Sequence, residues 1–198
     1  MGAVQFGDFT LGRTTVHSPV YVNPRLLVSA PNALRRAARV IAMETRYELA
    51  RRRPGVSEFQ LVAGVPFGGL HLATVFSIIT KTPLVYPYSR RDGDSEEPVI
   101  EGSYQEGQTV IILDDLITTG GSVLEMADLL EKQGLAVKDV IVLIDRDEGA
   151  AERLRRHGYN LRSVLSLEVM LNYYLSTRRI SEATYRQCTS YLESRRER

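Results

Sequence analysis

Val110-Ile111-Ile112-Leu113-Asp114-Asp115-Leu116-Ile117-Thr118-Thr119-Gly120-Gly121-Ser122 is the stretch on which the reading of this chain turns. Val110 to Leu113 is an unbroken apolar run, which suits a strand buried on both faces of a parallel sheet. The run stops at two adjacent carboxylates, Asp114 and Asp115. A Thr118–Ser122 turn follows, and an amphipathic helix over Val123–Gln133 is closed by Gly134. Two glycines let the backbone approach a ligand closely and aim several N–H groups at one anion. The helix N-terminus adds partial positive charge, and the hydroxyls of Thr118, Thr119 and Ser122 add donors. The carboxylates stand one turn away, where they suit sugar hydroxyls. A phosphate cradle beside a diol clamp points to a sugar phosphate as ligand.

Outward from this stretch, strands and helices alternate. Phe6–Leu11 and Val20–Val22 read as short extended pieces around a turn. Apolar positions Leu34, Ala38, Ile41 and Leu49 mark a helix from Pro31 to Arg53, ended by Pro54-Gly55. Phe59–Ala63 reads as a strand, Gly64–Gly69 as a tight loop and Leu70–Thr80 as a helix. Pro83–Tyr88 is a strand with a polar stretch, Ser89–Pro98, behind it. The motif strand spans Gln108–Leu113. Strands over Val140–Ile144 and Leu161–Leu165 flank a helix at Ala150–His157, and helices over Leu167–Ser176 and Glu182–Ser194 close the chain. This order predicts an α/β fold: a doubly wound parallel sheet of about five strands flanked by helices. Residues 1–198 form one domain, with 1–30 in a small N-terminal hood, 58–166 in the core sheet and 167–198 in the C-terminal helices. Ligands of such sheets bind beyond the carboxyl ends of the strands. The Gly64 loop, the Asp114 turn and Asp145-Arg146 all lie there.

Composition narrows the function classes. The chain is 43% hydrophobic and 25% charged, ordinary for a globular protein, and its net charge of +1 gives no basis for a nucleic-acid or membrane surface. No apolar run approaches the roughly 20 residues that span a bilayer. The lone Cys188 cannot form an internal disulfide, which fits a cytoplasmic protein, and Met1–Arg13 has no signal-peptide pattern. Three of the 25 basic residues are lysine (Lys81, Lys132 and Lys138), so arginine stands where lysine would serve elsewhere. His17, His71 and His157 lack metal-ligand spacing and read as surface or structural residues.

The motif stretch resembles the phosphoribosyl-diphosphate (PRPP) binding motif of type I phosphoribosyltransferases. Over nearly its whole length the chain is similar to orotate phosphoribosyltransferases, including that domain of uridine monophosphate synthases. Phe6-Gly7-Asp8-Phe9-Thr10-Leu11, Ser18-Pro19-Val20-Tyr21 and Arg25 match the family's hood. Gly64-Val65-Pro66 with Leu70–Thr74 matches its diphosphate loop, and Ile144-Asp145-Arg146 a segment whose arginine contacts orotate. The resemblance implies transfer of the 5-phosphoribosyl group from PRPP to orotate in pyrimidine biosynthesis, with Mg2+ assistance, in a homodimer. Asp114, Asp115, Arg90 and Arg91 would be the catalytic residues. Thr118, Thr119, Gly120, Gly121, Ser122, Arg146, Arg13, Tyr21, Val65, Pro66 and Phe67 would bind substrate. Mg2+ would be held mainly by PRPP and water.

The main departure from the family pattern falls in one loop, with smaller ones at Gly12–Thr15, at Asn23-Pro24 and at Gly68. The family has a basic pair followed by a lysine and a His or Tyr, whose cations neutralise the leaving diphosphate. Here Ser89–Pro98 keeps Arg90 and Arg91 but adds Asp92, Asp94, Glu96 and Glu97. A carboxylate ~4 Å from a phosphate charge costs on the order of 1 kcal/mol even in water. Two further readings follow: a weakly active or non-catalytic PRPP-binding paralogue with a regulatory role, and a phosphoribosyltransferase for another base.

Overall fold

The computed structural model describes residues 2–11, 15–92 and 95–196, with the backbone alone for residues 11, 15, 89–92, 95–98 and 196. An antiparallel hairpin, β1 (Val4–Leu11) and β2 (Thr15–Val22), opens the chain. A 3-10 turn over Pro24–Ser29 leads into α1 (Pro31–Ala50). Then come β3 (Leu61–Gly64), α2 (Gly68–Thr80), β4 (Leu84–Asp92), β5 (Ser95–Glu101), β6 (Thr109–Ile117) and α3 (Gly121–Lys132). The chain closes with β7 (Ala136–Asp145), α4 (Ala150–Arg156), β8 (Asn160–Ser166), α5 (Leu167–Ser176) and α6 (Glu182–Arg196).

The main sheet has six strands in the order β5-β4-β3-β6-β7-β8. Five are parallel, as the strand–helix alternation predicts, and β5 is an antiparallel edge strand paired with β4. Period-2 alternation divides the strands between two cores. Val62, Ile111, Leu113 and Ile141 face one, built with α1, α2, α5 and α6. Ala63, Val110, Ile112, Val140 and Val142 face the other, built with α3 and α4. The hood hairpin belongs to the first core, because Val20 and Val22 of β2 are buried in it.

Several sequence-based boundaries move: β2 begins at Thr15 and not Val20, α1 ends at Ala50 and not Arg53, and β7 begins at Ala136 and not Val140; two other changes bear on the site. The motif strand does not stop at Leu113: β6 runs on to Ile117 and carries Asp114 and Asp115 within it. The reason is the neighbouring strand β7, which keeps pairing with it: Asp114 stands opposite Val142, Leu116 opposite Ile144 and Ile117 opposite Asp145. The polar stretch after Tyr88 is not a loop but the arms of the β4–β5 hairpin, whose ladder extends from Tyr86–Glu101 to Asp92–Ser95. Among the described residues no helix is long and apolar enough to cross a membrane.

Candidate active site

The site is a consequence of unequal strand lengths. From β3 the chain winds one way through α2 to β4, and from β6 the other way through α3 to β7, so the winding reverses between β3 and β6. Ligand crevices open at such a reversal. The last pairing of β3 is Gly64 with Leu113. β6 overhangs it by the segment that holds the acid pair. The chain leaving β3 folds across this overhang: the Val65 N–H donates to the Leu113 carbonyl at 3.0 Å, and the Leu70 N–H donates to the Val65 carbonyl at 3.1 Å. Glycine makes the crossing possible. A Cβ on Gly64 would sit 2.5 Å from the Leu70 Cα, one on Gly69 would strike the Leu113 carbonyl, and one on Gly68 would strike the Asp115 carboxyl. The Pro66–Phe67 peptide is cis.

A cavity of about 210 Å3 results. Val65, Pro66, Phe67 and Gly68 form one wall, and Asp114, Asp115, Leu116 and Ser122 form the floor. Val22, Pro24 and Arg25 close it from the hood side. Of the three segments predicted to meet at the strand ends, the Gly64 loop and the Asp114 turn do meet here, and Asp145-Arg146 is not part of the lining. Phe67 projects outward, 79% exposed.

The carboxylates are nearly buried, at 7% and 9% exposure. Burial pushes the Asp114 carboxyl well above its ordinary pKa, and the adjacent Asp115 charge adds to the effect. Burial also raises Asp115, against the pull of its contact with Asp114 and of the Arg25 guanidinium. The two carboxyls are in direct contact with the same stretch of backbone: Asp114 Oδ1 accepts the Asp115 N–H at 2.8 Å. Two adjacent carboxyls offer several acceptor oxygens at one place, which suits the hydroxyls of a vicinal diol. Two adjacent carboxylates also suit a Mg2+ ion that takes most of its oxygen ligands from a diphosphate and water.

Beyond β6 the turn meets α3 at Gly120, whose φ of +80° demands glycine. A Cβ on Gly121 would meet nothing within 4 Å, so this face of the turn is open to a ligand. Ser122 lines the cavity. The far side of the turn is pinned by a residue the sequence did not single out: Arg153 of α4 donates from Nη1 to the Thr119 carbonyl at 3.3 Å. No local pattern announces that contact across 34 positions. Arg25, read only as part of the hood, also enters the site as the cation beside Asp115. Gly68 had a signal, the glycine pair opening α2.

Arg146 lies outside this cavity lining, 2% exposed. Its Nε stands 2.9 Å from Glu148 Oε1, and Nη2 donates to Ser18 Oγ at 3.0 Å. Tyr21 lies on β2, half-buried and stacked on Phe9 with centroids 5.6 Å apart. Arg90 and Arg91 are on β4, opposite Glu97 and Glu96 in the ladder. Arg13 is outside the described residues.

An acid pair on a strand overhang, a glycine turn feeding a helix and a close-packed loop across them meet in one crevice of a doubly wound sheet. Residues 28–163 match the family model of the phosphoribosyl transferase domain, and the chain belongs to that family. The likeness at full length is to orotate phosphoribosyltransferases. That of Chlamydia caviae is 34% identical, covering 98% of this chain and 90% of its own. Among solved structures, the Leishmania donovani UMP synthase superposes with a TM-score of 0.82 at 33% identity. It covers 97% of this chain, which spans 40% of the synthase. The orotate phosphoribosyltransferase of Aeropyrum pernix superposes with a TM-score of 0.71 at 32% identity, covering 87% of this chain and 93% of its own.

Proposed function

We propose that the protein transfers the 5-phosphoribosyl group of PRPP to orotate, giving orotidine 5′-monophosphate and diphosphate in pyrimidine biosynthesis. The observation that carries this is the shared cavity: acid pair, Val65–Gly68 loop and α3 turn meet beneath the hood. Backbone N–H groups at Thr118–Ser122 bind the 5′-phosphate at the N-terminus of α3. Asp114 and Asp115 hold the ribose hydroxyls and stabilise positive charge as it grows on the ring when the C1′–diphosphate bond breaks. The Val65–Phe67 loop receives the diphosphate. Arg146 serves the carboxylate-bearing base, with Tyr21 and Arg13 on the hood side. Arg90 and Arg91 reach the departing diphosphate from the β4–β5 hairpin. Mg2+, bound to PRPP, would supply charge neutralisation on the leaving diphosphate.

The whole chain works as one unit, and we assign it to the reducing cytoplasm, where the buried free Cys188 is at home. We assign it a homodimer paired through α1 and α2. Val40, Met43 and Tyr47 share one face of α1, and Met43 is 70% exposed; Ile78 of α2 is exposed as well. Mixing purified protein with PRPP, Mg2+ and orotate should produce orotidine 5′-monophosphate. Isothermal titration should show that Asp114→Asn with Asp115→Asn loses most of its PRPP affinity. Unchanged affinity would mean that the acid pair does not meet the sugar. The acidic residues of the hairpin favour a second reading, a non-catalytic PRPP-binding paralogue. It would bind PRPP in the titration yet form no nucleotide at any Mg2+ concentration.

A further inference from the structure

Beneath the hood runs a chain of polar groups that ties three remote segments together. Arg195 of α6 stands with Nε 3.8 Å from Glu148 Oε2. Glu148 Oε1 is 2.9 Å from Arg146 Nε, and both side chains are closed to solvent, at 0% and 3% exposure. Arg146 Nη2 donates to Ser18 Oγ at 3.0 Å, across 128 positions of sequence. Ser18, fully buried, donates its own O–H to the Val20 carbonyl at 2.7 Å. The relay thus begins on the C-terminal helix, crosses the exit of β7 and ends on hood strand β2.

A buried ion pair contributes little net stability, because desolvation offsets most of the attraction, and an apolar replacement is often as stable. Stability is therefore a weak reason for burying Glu148. Geometry supplies a better one. Nε and Nη2 lie on one edge of the planar guanidinium: Ser18 accepts a hydrogen bond from Nη2, and the Glu148 carboxylate stands 2.9 Å from Nε as an ion pair, without accepting its N–H. One hydrogen bond and one buried charge against the same edge restrict how the plane can turn. The end-on pair, Nη1 with the second proton of Nη2, lies outside both contacts. That end is the fork which matches a carboxylate bidentately. Ser18 adds direction: with its O–H donated to Val20, its lone pair is turned to Nη2.

We propose that Glu148 is a positioning residue for the base subsite: it restricts the plane of Arg146, and Arg195 and Ser18 complete the clamp, so that the Arg146 fork is set to receive a planar base bearing a carboxylate. This rests on the reading of Arg146 as the residue that serves the base. It adds a reason for the C-terminal helix to matter at the site: α6 supplies the cation on the far side of Glu148.

The test is steady-state kinetics on full-length Glu148→Gln, which keeps the shape and removes the charge. The Michaelis constant for orotate should rise about tenfold, as expected for losing one charge-assisted contact, while that for PRPP stays within about twofold; Tm should fall, because Arg146 keeps a buried charge and loses its partner. Ser18→Ala should raise the orotate constant too, and the double variant should show less than the product of the two effects, since both act on one guanidinium. Arg146→Lys separates the premise from the inference. If it leaves the orotate constant unchanged, Arg146 does not serve the base and both fail. If it raises that constant while Glu148→Gln does not, the base reading stands and the positioning role is overturned. Should Glu148→Gln fail to fold, Arg195→Gln carries the test from the partly exposed end. A selective rise for orotate supports the clamp, and an equal loss for both substrates overturns it.

Discussion

Asp114 is costly to the ligand-free protein. Its carboxyl is almost buried beside a second carboxyl, and both conditions raise its pKa. The sign of the consequence follows. The folded chain holds this proton more tightly than the unfolded chain, so folding is favoured at acid pH. That advantage is lost as pH rises from the ordinary carboxylate range through the raised value. Asp114→Asn keeps an Oδ1 acceptor for the Asp115 N–H and has no proton to lose. Its Tm should match wild type near about pH 4 and exceed it by roughly 2–4 °C near about pH 8, while turnover falls on the order of a hundredfold. Calorimetry at several pH values checks this, and a Tm difference that does not vary with pH would mean the carboxylate is not strained by burial. The acid pair was legible as chemistry, because two adjacent acids between an apolar run and a hydroxyl-glycine turn are a local pattern. The Ser18–Arg146–Glu148–Arg195 relay was not. Its members are ordinary polar residues until the fold joins them, and no spacing along the chain encodes a contact across 128 positions.

At the scale of elements, strand and helix types were readable from periodicity, and the ends were read less well. β6 outran its apolar run because Asp114 and Leu116 still have ladder partners on β7, which propensity cannot foresee. The β4–β5 hairpin was missed because Ser89–Pro98 is polar, with no apolar alternation to mark its arms. Its register has a consequence for the reaction. Arg90 stands opposite Glu97, and Arg91 opposite Glu96. Opposite positions of an antiparallel ladder are those where unlike charges attract, by roughly 0.2–1 kcal/mol per pair. Under the proposed reaction, carboxylates at these register positions would oppose the approach of the diphosphate to the hairpin. Glu96→Gln with Glu97→Gln should therefore raise turnover about threefold to tenfold at limiting Mg2+, with the Michaelis constant for orotate unchanged, because the hairpin acts on the leaving group. Wild-type turnover that does not move in this variant would assign the two glutamates to solvent.

For the molecule as a whole, the hairpin and the exposed helix face belong to one argument. β3 pairs with β4 only at Leu84 and Val85, so most of β4 and its ladder with β5 extend past the strand that flanks the crevice. An arm of this length serves a site most readily when the site belongs to a neighbour. Val40, Met43 and Tyr47 on α1 and Ile78 on α2 are exposed apolar residues and form the patch that the proposed dimer would cover. In a two-fold dimer each subunit offers the same patch, so a charge placed in it is met twice. Met43→Glu with Ile78→Glu should convert the protein to a monomer in sedimentation at micromolar concentration, with its Tm little altered and its turnover lost. The stronger test mixes two inactive dimers. One carries Asp114→Asn with Asp115→Asn, and the other Arg90→Ala with Arg91→Ala. If the hairpin serves its own subunit, every site in every hybrid holds a defect, and mixing restores nothing. If it serves the partner, subunit exchange gives hybrids in which one site has both lesions and the other has neither. Random exchange makes half of the dimers hybrid, so mixing should recover about a quarter of wild-type turnover. Recovery near zero, with exchange confirmed by mass, would confine each hairpin to its own crevice.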